Sequence, residues 1–261
     1  MLIILVFATV SGYVMKNWET YFPTTAFDEG TNILSEDISS LAKETFQGNQ
    51  VISVNNQTPV FTQEDLSLKE GAWQNFSDLD SLNRVGEANA MLHNSMMPKD
   101  DREPLYVNPT GWKNKKTKTG WLYNRAHLIG FQLTGENNNP KNLMTATRSL
   151  NTPCMLEYEN RVADYLHETN NHVRYRVTPI FKDDELVARG VEMQAQSVED
   201  DELQFHVYIF NVEEGMEINY TDGTSKVEHY LGSFDTKEEA IAARIKGEEQ
   251  YFKPLIEKYR K

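Results

Sequence analysis

A single cysteine, Cys154, stands in 261 residues, so neither an intramolecular disulfide nor a thiolate cluster for zinc can be built. Histidine is scarce as well: the six present form no HExxH or His-x3-His pair, which leaves zinc hydrolysis without a motif. Basic residues are in deficit, 26 Lys plus Arg against 39 Asp plus Glu for a formal charge of −13. That balance argues against a protein that coats nucleic acid by bulk charge, because such affinity comes from many cationic contacts to phosphates. An enzyme with a local basic groove remains open. Internal repeats at solenoid periods and low-complexity blocks are absent too. The length suits one large domain, or one with a small appendage, and is enough to bury a substantial core.

The one long apolar run is MLIILVFATVSGYVM, free of charged side chains until Lys16. It is short of the roughly 20 residues a bilayer requires and resembles the apolar region of a secretory signal, although a positive stretch before it and an A-x-A site after it are lacking. A buried N-terminal strand is the alternative. The expected organisation is a signal-like segment over 1–27, a main domain over 28–223 and a charged helical tail over 224–261. A monomer secreted from the cell follows, retained at the surface if the leader is not cleaved, and without stable membrane association once processed.

Between these ends, VISV (51–54) and TPVFT (58–62) read as strands, and FTQEDL as a helix start with Thr62 as cap. RVGEANAMLHNSMM (84–97) has helix-forming residues and stops at Pro98, which predicts a helix. WLYNRAHLIG and NLMTAT read as strands on either side of the polar loop TGENNNPK. Asn151, Thr152 and Pro153 then signal the start of a helix running to about Glu168. HVRYRVTPIF, LVARGVEMQAQSV and LQFHVYIFNV alternate with period two, an antiparallel meander, and the tail helix is capped by Asp235 or Thr236. The fold class expected is α+β with a central antiparallel sheet.

Chemistry concentrates in the strand, loop, strand and helix of residues 121–168. Asn142 lies 15 residues after His127, Asn151 24 after it, and Glu159 8 beyond Asn151. Eight residues return a helix to within roughly 80° of the same side, so Asn151 and Glu159 can face the strand that bears His127. A hydrated Mg²⁺ needs only one or two protein oxygens, with a carboxylate holding its water from behind. His127 suits a general base because its side chain titrates near neutral pH, and Arg125 adds positive charge where a phosphate gains negative charge. The bland readings are a packed structural histidine at 127, a helix cap at Asn151 and a solvent-facing Glu159. From Leu105 to Phe181 ten Lys/Arg meet five acids, a basic segment that can guide an acidic substrate.

YNRAHLIG resembles the Asp/Asn-Arg-Gly-His signature of the DNA/RNA non-specific endonucleases, the ββα-metal-finger family, in its secreted streptococcal branch. LNRVGEANAMLHNSMMP, PLYVNPTGW, KNLMTATRSLN, MLEYENRVADYL and HVRYRVTPIF extend the resemblance over roughly residues 79 to 220. It implies a ββα-metal (His-Me) finger on the antiparallel sheet and hydrolysis of phosphodiester bonds in DNA, with RNA as a second substrate, without sequence preference. It further implies His127 as general base, Asn151 as direct Mg²⁺ ligand, with Mn²⁺ able to substitute, and Asn142 and Glu159 holding the metal's water. Arg125 would contact the scissile phosphate, and Arg84 and Arg148 would bind the substrate backbone. Ala126 stands where the family mostly has Gly or Ser, and Asn124 where Asp is commoner. These two departures support an alternative, a catalytically weak nuclease-fold protein that binds nucleic acid or surface partners. A sequence-specific HNH-type nuclease ranks last, since no Arg-rich recognition helix is present.

Overall fold

The computed structural model describes residues 32–33, 38–117, 120–228, 231–232 and 234–253. The signal-like segment 1–27 lies outside the described residues. Among them, seven strands form the main sheet: β1 (Asn32–Ile33), β2 (Val51–Val54), β3 (Trp73–Phe76), β4 (Ala88–Leu92), β9 (Val173–Ile180), β10 (Gly190–Ser197) and β11 (Gln204–Phe210). Their order is β1-β2-β11-β10-β9-β4-β3, antiparallel except for β1 with β2. The alternating stretches supply the centre of this sheet as expected. Three two-stranded pairs accompany it: β5 (Lys116–Thr117) with β6 (Gly120–Trp121), β7 (Tyr123–His127) with β8 (Leu143–Thr147), and β12 (Met216–Ile218) with β13 (Ser225–Val227).

Period two gives the sheet two faces of different character. Ala88, Ala90 and Leu92 of β4, Val173, Tyr175 and Val177 of β9, Val191, Met193 and Ala195 of β10, and Phe205 and Val207 of β11 share one apolar cluster. Onto it pack β7, β8 and the helix α2 (Leu156–Glu168) through Ala126, Met144, Ala146, Tyr158, Val162 and Leu166. The opposite face is polar yet covered. Glu192 and His206, 2% and 1% exposed, pair at 2.6 Å there, and the other nitrogen of His206 faces the Thr58 carbonyl at 3.1 Å. Val60 N–H donates to Gln194, and the guanidiniums of Arg174 and Arg176 lie 4.9 and 5.1 Å from the Phe61 ring. TPVFT is therefore no strand but an irregular strip strapped over buried charges.

The helix expected over 84–97 is instead β4 followed by a 3-10 turn at Asn94–Met96. Ala and Met favour helix, but pairing on both sides, with β3 and β9, decides the matter, because strand preference is set largely by neighbours. At FTQEDL the cap forms, Asp65 N–H to Thr62 Oγ1 and Thr62 N–H to Asp65, but only one turn follows. The tail helix α3 (Lys237–Gly247) starts at Thr236 with a capping box to Glu239. Thr236 is one of the two caps expected from the sequence; ahead of the helix, the β12–β13 hairpin spans Gly223, whose carbonyl accepts from the Tyr123 hydroxyl.

Candidate active site

β7 and β8 run antiparallel with Arg125 opposite Thr145 and His127 opposite Leu143. Ala126 lies in extended strand with no exposed surface, so a methyl group at this position costs no backbone strain. The chain leaves β7 through a turn fixed by Asn142. Leu128 N–H donates to the Asn142 carbonyl, Ile129 N–H donates to Asn142 Oδ1, and Asn142 Nδ2 donates back to the Ile129 carbonyl, at 2.9, 2.9 and 3.0 Å. Fully buried and bonded at both ends of its amide, Asn142 has no surface to offer a metal's water. The expectation for it is corrected to a clamp on the 128–130 turn, from which the short helix α1 (Phe131–Thr134) departs.

The clamp holds His127, 6% exposed, in one orientation. Its Nε2 lies 2.8 Å from the Asn137 carbonyl; a carbonyl only accepts, so Nε2 carries the hydrogen and Nδ1 keeps a lone pair. Arg102 Nη2 points at that lone pair from 3.4 Å. Burial pushes the imidazole pKa down to about 4, the bond to Asn137 opposes, and the Arg102 charge lowers it further. At neutral pH the ring is an uncharged acceptor.

Glu159 comes from the first turn of α2. It keeps some contact with water, but protein surrounds it closely, and this burial lifts its pKa to about 7 against the opposing charge of Arg102. Gly130 makes the room. A Cβ at that position would fall 2.7 to 2.9 Å from the three atoms of the Glu159 carboxyl group, closer than real carbon atoms approach. Arg102 thus joins His127 and Glu159, its guanidinium acting on both and lying 6.0 Å from the Phe131 ring. Arg102 gives no signal in the sequence, because Asp100, Asp101 and Glu103 surround it and no motif spacing singles it out.

Arg125 stands on the same strand face two residues before His127. Its Nε and Nη2 both donate to Asn108 Oδ1, at 3.2 and 2.6 Å, and its guanidinium lies 4.7 Å from the Trp112 ring centroid. Asn108 and Trp112 lie in the PLYVNPTGW stretch, where no spacing to His127 marks either of them. Asn151 is half-buried in an irregular turn, Leu150–Met155, ahead of α2. Thr152, extended as a residue before proline tends to be, interrupts the helix expected to begin at Asn151. Asn151 Nδ2 donates to the exposed Thr152 Oγ1 at 3.2 Å, which engages the nitrogen and leaves the amide oxygen as a candidate metal ligand. Arg148 is exposed beside Gly120. Arg84 is not. Its Nε pairs with Asp80 at 2.7 Å, its Nη1 bonds the carbonyls of Asp183 and Glu185, and it covers Phe181 at 4.8 Å. Arg84 is corrected from substrate contact to a tie between two loops.

Two antiparallel strands and a helix, with a histidine ending the first strand and a carboxylate opening the helix, define a ββα-metal nuclease fold within the α+β class. Residues 66–199, more than half of the chain, match the family model described as DNA/RNA non-specific endonuclease, and the chain belongs to that family of nucleases. Among solved structures it is similar to NucA from Streptococcus agalactiae with no metal bound, at 26% identity over 70% of this chain and 90% of that one, TM-score 0.62. The magnesium-bound form of the same nuclease aligns at 25% identity over 70% and 91%, TM-score 0.63. The Sda1 nuclease with bound zinc aligns at 26% identity over 58% and 80%, TM-score 0.53.

Proposed function

We propose that this nuclease is a secreted, Mg²⁺-dependent endonuclease that hydrolyses DNA, and RNA as a second substrate, without sequence preference, working as a monomer. The observation that carries the reading is the tether of His127 Nε2 to the Asn137 carbonyl, which leaves a buried, uncharged Nδ1 facing the charged groups of the site. Nδ1 accepts a proton from water as that water attacks phosphorus, and the departing 3′ oxygen leaves in line. Arg125, braced by Asn108 and Trp112, meets a non-bridging phosphate oxygen. Arg102 is released by the incoming phosphate from its contact with Nδ1 and neutralises charge gained on the way to the transition state.

The residues fit a hard, hydrated cation. Asn151 offers an amide oxygen and Glu159 a carboxylate with an elevated pKa, both oxygen donors of the kind such an ion takes. Asn151 would ligate Mg²⁺ directly and Glu159 through water, as is usual for an ion that sheds its hydration reluctantly. When bound, the ion supplies charge neutralisation at the phosphate and the leaving oxygen. Export rests on the apolar leader, and among the described residues no helix is long and apolar enough to cross a membrane.

Plasmid digestion tests the proposal. Cleavage is expected to require Mg²⁺, to stop with chelator, to yield a smear rather than discrete bands, and to fall by about 10²- to 10⁴-fold in His127→Ala, the usual range for a lost general base. Unchanged turnover in that variant would end the assignment.

A further inference from the structure

The hairpin β5–β6 stands directly before the catalytic strand and ends in an exposed indole. Trp121 is 53% exposed, although tryptophan is highly buried on average. Lys116 lies opposite it in register and holds its ammonium 5.4 Å from the ring centroid. On the neighbouring residue, a Cβ at Gly120 would approach Arg148 Nη1 to 3.0 Å, so an exposed guanidinium flanks the same hairpin. At a φ of +131° Gly120 also occupies backbone that a side chain would strain.

The hairpin is fastened to β7 and β8. Leu122 N–H donates to the Lys115 carbonyl at 2.9 Å and Arg148 N–H to the Leu122 carbonyl at 2.8 Å. Residues 121, 123, 125 and 127 therefore step by two along one stretch of chain. Trp112 underlies its middle, 6.4 Å from the Tyr123 ring and 4.7 Å from the Arg125 guanidinium. Four residue steps, through a bend at Leu122, lead from Trp121 to Arg125, a span of at most ~14 Å, or about four stacked base steps at 3.4 Å each.

From this geometry we infer that Trp121 is a stacking platform for an unpaired base of the substrate strand, a few nucleotides from the scissile phosphate, with Lys116 and Arg148 gripping the phosphates beside that base. The inference rests on the nuclease reading of the His127 site. Inside a duplex each base face is already covered by its neighbours, so the indole can engage only single-stranded or frayed segments. Stacking on a π-face tolerates any base, which suits cleavage without sequence preference. The platform therefore sets a preference for strand form rather than for sequence.

The test uses His127→Ala full-length protein in Mg²⁺ buffer, with fluorescence anisotropy of a labelled single-stranded oligonucleotide and of a closed hairpin duplex. Trp121→Ala in that background is expected to weaken single-strand binding about 5- to 100-fold, the range of one lost base–aromatic stack, and duplex binding by a smaller factor. Trp121→Phe restores most of the difference because it keeps a ring. Equal losses on both substrates, no loss, or failure of Phe to rescue would overturn the platform. Wild-type digestion is run alongside. Absence of Mg²⁺-dependent cleavage removes the nuclease reading, whereas cleavage together with unaltered binding by Trp121→Ala removes the platform alone.

Discussion

At the scale of single residues, burial drives His127 and Glu159 in opposite directions around one guanidinium. The imidazole, near 4 in the fold against 6.5 when free, binds more protons in the unfolded chain across that interval, so its contribution to stability grows as pH rises from 4 to 6.5. The carboxyl, near 7 against 4.5, is held protonated by the fold, so its contribution is complete below 4.5 and is lost as pH rises towards 7. The two slopes oppose each other between 4.5 and 6.5. Glu159→Gln removes one of them: the Tm of metal-free Glu159→Gln minus that of wild type is expected to climb as pH goes from 4.5 to 7. A flat difference across that window would refute the assigned shift. Gly130 makes a steric prediction. Gly130→Ala places a methyl group where the Glu159 carboxyl sits, and the carboxyl must move. Turnover should drop by about 10- to 100-fold, the cost of an ångström-scale misplacement, with little change in Tm, as read by steady-state kinetics beside a melting curve.

At the scale of elements, the 128–130 turn depends on one buried amide. Asn142→Ala strands the Ile129 N–H and carbonyl without partners, at about 1–3 kcal/mol for each buried group left unpaired. Urea denaturation should register that loss, while the folded fraction keeps its Mg²⁺ dependence. A changed metal requirement with intact stability would instead restore Asn142 to the metal's water shell. The same elements mark what could be read from the sequence. β7, β8, the body of α2 and the meander β9–β11 follow from periodicity, because a face that packs on the core must repeat every two or every 3.6 residues. β4 did not: Ala88, Ala90 and Leu92 have their partners in β3 and β9, and the latter lies some eighty residues downstream. The start of α2 was misjudged because the turn before it is made by Thr152 and Pro153 rather than by a regular cap. Within the site, His127, Arg125 and Glu159 were legible as a spaced set. Arg102, Asn108 and Trp112 reach that set through loop geometry, which leaves no period in the chain.

For the molecule as a whole, net charge misleads. Much of the basic segment is already engaged within the protein: Lys113 with Asp222, Lys141 with Asp78, Lys115 with the Ser225 carbonyl, and Arg174 and Arg176 with Asp65. Arg102, Lys116, Arg125 and Arg148 are the cations proposed to meet substrate phosphates. With three or four phosphate contacts, log affinity for duplex DNA should fall against log salt with a slope of about −3 to −4, measured with His127→Ala between roughly 50 and 200 mM salt. A slope twice as steep would mean that the engaged lysines let go of their partners to join in.

The strip over residues 58–65 covers ionised and amide groups rather than hydrocarbon. A protease that nicked it and peeled it back would uncover a surface that water wets readily. Damage there should leave the chain dispersed instead of sticky.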